Sequence, residues 1–158
     1  MKSKRYSILN FYIRGSNVTP QVCHGLNRLW ANKADMTPEA KSLFSNWVTE
    51  SEVEVILQGG NHKDLEELYL ALSSIPFIPS AKFNEGQDDL CGVCTVVTFV
   101  ASDRIVAAGG VLRSKNIAPA DAFDYLMGNK IEVFEEWVSV NKFEAFVASK
   151  IAYLSLVS

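Results

Sequence analysis

Gln21, His24 and Arg28 recur at helical spacing and form one polar stripe, while Val22, Leu26, Leu29 and Trp30 fall on the opposite arc at about 100° per residue. This stripe is the first place where the chain can do chemistry. His24 suits a general base, because an unperturbed imidazole titrates at about pH 6.5, but a helix histidine hydrogen-bonded to structure is the simpler reading. Gln21 lies close to the start of the helix, where backbone N–H groups can hold an anion, and its role there is positioning. Cys91-Gly92-Val93-Cys94 has the spacing of half a zinc site, and Cys23-His24 offers two further ligands, although not at a spacing typical of zinc. A redox C-x-x-C opens a helix, whose dipole activates the thiol, whereas this pair enters a β-branched strand. Structural cysteines are therefore expected, with no metal and no cofactor. His62, beside a helix cap, reads as surface.

Positioning the stripe requires a strand and a turn before it. Tyr6 to Ile13 mixes apolar and aromatic residues without alternation, as a strand covered on both faces does, and Gly15-Ser16-Asn17 is the loop. Thr19 as N-cap and Pro20 at the first helical position start the helix at residue 20. Thr37-Pro38-Glu39, with Met36 as a hydrophobic staple, opens a second helix that ends between residues 47 and 50. Residues 52–58 form a strand closed by Gly59-Gly60. Asn61 then caps a third helix, with Asp64 at N3 and Leu65, Leu68, Tyr69 and Leu72 as its apolar face. Residues 77–83 form a short strand, with Pro79 restricting it to an edge or a strand start. Val93 to Val100 is the strongest strand in the sequence. From residue 103 onward helical periodicity dominates, including 131–140 and 141–156, where Phe134, Trp137, Phe143, Phe146 and Tyr153 cannot all face water.

The chain has 158 residues, of which 48% are hydrophobic, enough for one domain with a sizeable core. Three cysteines and no secretory leader point to a reducing, cytoplasmic setting, and no run is long and apolar enough for a membrane span. A formal net charge of −3 lacks the overall basic field of dedicated nucleic-acid binders, so any such binding is local, around Lys2, Lys4, Arg5, Arg14 and Arg28.

The order strand, helix, helix, strand, helix, strand, loop, strand over residues 6–100 resembles the type 2 peptidyl-tRNA hydrolase family, of the archaeal and eukaryotic type. Gln21-Val22-Cys23-His24-Gly25 is similar to that family's Gln-x-x-His-Ala. Trp47, the strand Val53 to Leu57 and Asp64-Leu65-Glu66-Glu67-Leu68-Tyr69 resemble its tryptophan, second strand and Glu-Glu-Leu helix. Gly86 and Gly92-Val93-Cys94-Thr95-Val96 resemble its Asp-Ala-Gly loop and Gly-Thr-x-Thr-Val strand, one residue shorter between the two glycines. Gln21, His24, Gly86, Gly92 and Thr95 carry over directly. The family's first-helix lysine, in contrast, corresponds to Asn17, its loop aspartate to Asn84 and its first threonine after the glycine to Val93.

The resemblance implies a mixed four-stranded sheet flanked by helices over residues 1–101, followed by a helical extension over 102–158 that packs on the domain or on a partner. It also implies Gln21, His24, Asn84 and Thr95 as site residues of an ester hydrolase, with Arg14, Arg28, Lys4 and Arg5 meeting the backbone of tRNA or peptidyl-tRNA. Gln21, Asn84 and Thr95 should converge at one end of the sheet. Glu85, Asp88 or Asp89 is available to replace the lost carboxylate, and Arg14 or Arg28 the lost cation. Two alternatives remain open: a catalytically degenerate module that binds RNA, a nucleotide or a protein through the same fold, and a structural protein that forms a homodimer or a partner contact through residues 131–156.

Overall fold

The computed structural model describes residues 3–86 and 92–157; Lys2, Asp88, Asp89 and Cys91 lie outside them. Strand β1 (Lys4–Leu9) lies beside β2 (Val53–Gln58) in parallel and beside β4 (Cys94–Ala101) antiparallel, and β3 (Ser80–Asn84) completes the sheet in the order β2-β1-β4-β3. All eight residues of β4 are buried, because this central strand is covered on both faces. Pro79 immediately precedes the edge strand β3, where a missing N–H costs no ladder bond. The C-terminal residues Ser155 and Val157 hydrogen-bond along β2, with Leu156 bridging to Leu57.

Helices α1 (Val18–Asn32) and α2 (Pro38–Asn46) cover one face, against which Leu9, Val96, Ala81 and Val100 point. On the other face α3 (His62–Ser73), α4 (Asp103–Ser114), α5 (Ala122–Gly128) and α6 (Lys142–Ile151) share one continuous core with Tyr6, Ile8, Val97 and Phe99. Residues beyond 102 are thus an integral layer on the sheet. The fold is the expected mixed four-stranded sheet flanked by helices.

The caps follow the sequence closely. The Thr37 hydroxyl accepts from the Ala40 N–H, and Asn61 with Asp64 forms a reciprocal capping box, as Asn141 with Glu144 does at α6. Three local expectations need correction. β1 ends at Leu9, because the Asn10 N–H and side chain turn to the carbonyls of Thr95 and Cys94. α1 begins at Val18 rather than at Pro20, entered through a 3-10 turn over Gly15–Asn17, and Asn17 provides no side-chain cap.

The third correction concerns residues 131–140, which are a β-hairpin and not a helix: β5 (Ile131–Val133) pairs antiparallel with β6 (Glu136–Val138). Ile131 and Val133 point inward, an alternation of period two that the helical reading of Phe134 and Trp137 masked. Phe134 and Glu135 form the two-residue loop with φ of 49° and 66°, the pattern of a type I′ turn. Phe134 is 59% and Trp137 66% exposed, so within one chain these two aromatics do not pack on the sheet, which leaves a partner as the remaining way to cover them.

Candidate functional site

Gln21 and Thr95, 74 positions apart, meet where α1 starts over the end of β4: the Thr95 hydroxyl donates to Gln21 Oε1 at 2.5 Å. The Gln21 amide then donates to Glu85 Oε1 at 2.7 Å. Hydroxyl, amide and carboxylate form one chain from the core to the β3–β4 loop. Thr95 has no exposed surface and Gln21 retains 8%, so the carboxylate is the member of the chain that a substrate can reach. Thr95, expected among the site residues, is fully buried, and its hydroxyl holds the amide of Gln21 in place.

A break in the ladder makes this geometry possible. Phe83 pairs with Val96 but Asn84 pairs with Cys94, so Thr95 is the extra residue of a β-bulge. The bulge lets Thr95 and Val96 both face α1. Gly25 brings the helix close, since a Cβ there would lie 3.1 Å from Thr98 Cγ2. Gln21, Gly25 and Leu29 are consequently the buried stripe of α1, while Trp30 is 46% exposed. The polar arc drawn from periodicity is therefore rotated: Gln21 faces the sheet, and only His24 and Arg28 remain toward solvent.

His24 stacks on Phe83 with ring centroids 4.2 Å apart, and the Arg28 guanidinium lies 5.5 Å from the same ring. Among the described residues His24 is held by this aromatic contact, and a hydrogen bond of the kind expected of a structural histidine is not found there. Tyr12, in the β1–α1 loop, has its phenol pushed above the ordinary range by burial and then by the negative charge of Glu85 and by Cys94.

Asn84 is not part of this convergence. Its side chain projects from the opposite face, donating to the Gly92 carbonyl at 2.9 Å and, weakly, to Glu66 Oε1 at 3.5 Å. Lys82, on the same face of β3, forms an ion pair with Glu66 Oε2 at 2.6 Å. Partial burial opposes ionisation of Glu66, but Lys82, Asn84 and His62 together outweigh it and hold the carboxyl below its usual range. His62, read as plain surface, accepts the Cys94 N–H on Nδ1 at 2.9 Å and so ties α3 to β4. Burial, with the charge of Glu66 adding to it, pushes the Cys94 thiol up to about 12, which leaves it inert. Among the described residues no group of three metal-ligating side chains converges.

The basic footprint divides in two. Arg14 is exposed in the β1–α1 loop and its Nε donates to the Phe11 carbonyl, at the same end of the sheet as Gln21. Lys4 and Arg5 lie at the other end of β1, about 13 to 17 Å from Leu9 along the strand at roughly 3.3 Å per residue. Arg5 is also buried, at 3% exposure, where it pairs with Glu54 at 2.6 Å and lies against the Trp47 ring, so it is a core residue and not a phosphate contact. Burial raises the Glu54 carboxyl above its ordinary value, and Ser7 and Arg5 reverse this only in part.

Glu85 is the member of the cluster that spacing alone ranked equally with Asp88 and Asp89. Its signal was its place directly after the β3 strand, but the hydrogen bond to Gln21 depends on the bulge. No protein-family model matches the chain, and no curated protein matches it. No helix among the described residues is long and apolar enough to cross a membrane.

Proposed function

We propose that this is a peptidyl-tRNA hydrolase-like protein acting on a tRNA-like ester, with Glu85 as its reactive carboxylate. The supporting observation is the Thr95–Gln21–Glu85 chain, which joins two positions that carry over directly in the resemblance to a carboxylate from the loop where the family carries an aspartate. In this reading Glu85 accepts a proton from a water as it attacks the ester carbonyl and returns it to the ribose oxygen of the tRNA as the acyl C–O bond breaks, and Gln21 fixes the direction of the carboxylate. His24 and Arg28 line the exposed rim, and Arg14 and Arg28 supply the cationic surface for phosphates. The loss of lysine at Asn17 is met by Arg14 in the preceding loop.

The orientation of Asn84 favours a second reading, a binding module that has lost its chemistry. The two readings separate in one experiment. With peptidyl-tRNA as substrate, the hydrolase releases free tRNA above the spontaneous rate, and Arg14→Ala/Arg28→Ala weakens binding while flattening its salt dependence. Salt-sensitive binding without release supports the degenerate module. Neither binding nor release removes both readings.

A further inference from the structure

An apolar groove of about 460 Å³ lies between α3, α5 and α6, far from Gln21 in the chain and on the other side of the sheet. Leu70, Ala71, Phe123, Phe143 and Phe146 line it, and Leu70 is 67% exposed. Lys142 on α6 and Glu67 on α3 are the charged residues of its lining, and Lys150 lies further along α6, over the ring of Phe146, as Lys142 lies over that of Phe143. The hairpin that runs directly into α6 has the complementary character. Phe134 and Trp137 project into solvent, flanked by three exposed carboxylates, Glu132, Glu135 and Glu136, with Glu132 directly opposite Trp137.

The loop chemistry adds an independent observation. A two-residue turn with both φ angles positive favours Asn-Gly, and a phenylalanine at φ 49° is costly there. Phe134 thus holds a strained, exposed position that contributes nothing to the turn itself, the pattern found where a side chain serves recognition.

We propose that the groove receives the Phe134–Trp137 hairpin of a second copy of this chain. Hairpin and groove adjoin through α6, so a two-fold axis beside Lys142 lets each copy seat its hairpin in the other's groove and closes the pair as a dimer. The acidic hairpin then meets the lysines of α6 around a buried aromatic centre, the arrangement of a hot spot with a polar rim. The three carboxylates disfavour a nucleic-acid occupant through repulsion of phosphates.

The test is mass by light scattering or sedimentation on the full chain, over about 1 to 100 μM, a range that brackets micromolar association. The wild type is expected at twice the chain mass. Phe134→Gly and Trp137→Glu should each weaken dimerisation at least about tenfold, and so should Leu70→Asp in the groove. Phe134→Gly relieves the turn, so at a dilution where both proteins are monomeric it should melt no lower than the wild type, which separates loss of a contact from loss of the fold. An equimolar mixture of Trp137→Glu and Leu70→Asp retains one intact hairpin and one intact groove and should associate where neither variant does alone. A wild type at chain mass throughout, a dimer indifferent to the hairpin variants, or a mixture that fails to associate would each overturn the proposal.

Discussion

Replacing Thr95 with valine keeps the branched shape and removes only the hydroxyl, so the change isolates one hydrogen bond. Thr95 is fully buried, and no cavity forms. Gln21 Oε1 loses a donor at 2.5 Å in a residue only 8% exposed, so an acceptor is left without its partner away from water. Such a loss costs about 1–3 kcal/mol, reduced because valine no longer carries a hydroxyl of its own to desolvate. A net loss of about 1.5 kcal/mol, with a urea slope of about 2 kcal/mol per molar, moves the unfolding midpoint down by roughly 0.7 M. The double-mutant cycle with Gln21→Leu sharpens the test. If the two side chains act through each other, the combined loss falls short of the sum by about 1 kcal/mol. Urea titration of the four proteins measures it. Additive losses, or a Thr95→Val protein as stable as the wild type, would refute the hydroxyl–amide chain.

Other consequences follow from the same geometry. Arg5→Met should cost about 2–3 kcal/mol by leaving the half-buried Glu54 with Ser7 as its remaining partner, whereas Arg5→Met/Glu54→Leu should recover most of that loss in thermal unfolding. Because the Glu66 carboxyl is held below its unfolded value, its contribution is present above about pH 4.3 and is lost as pH falls through the lower folded value. Glu66→Gln should therefore be less stable than the wild type at neutral pH by about 0.5 kcal/mol, and the gap should close in acid. Phe134→Gly should stabilise the monomer by about 0.5–1 kcal/mol, since glycine adopts positive φ without a steric penalty; thermal unfolding followed by circular dichroism at a dilution where both proteins are monomeric measures it, and a lower Tm for the variant there would contradict this.

The layers of the fold were legible because local chemistry marks them. The caps at Thr37 and Asn61 are set by side chains within four residues, and β4 carries the β-branched run Thr95 to Thr98. Pairing of Gln21 with Thr95 was legible only through the family resemblance. The separation of Asn84 from this pair was not, because Asn84 shares a face of β3 with Lys82 while one extra residue in β4 turns Thr95 to the other face, and nothing in the residue types announces a bulge. The hairpin at 131–138 was misread for a related reason: three-residue strands are too short to show alternation against the helical spacing of Phe134, Trp137 and Val138. Arg5 was placed on the surface by its charge, and only the partner Glu54 on the neighbouring strand explains its burial.

The most direct test of the proposed chemistry is the single-turnover cleavage of an N-blocked aminoacyl-tRNA by the wild type and by Glu85→Gln, with tRNA binding measured in parallel. Glu85→Gln keeps the shape of the side chain but removes the base. Cleavage should fall by about 100-fold or more while tRNA affinity holds. Equal cleavage by the two proteins would contradict the assignment of Glu85 as the base.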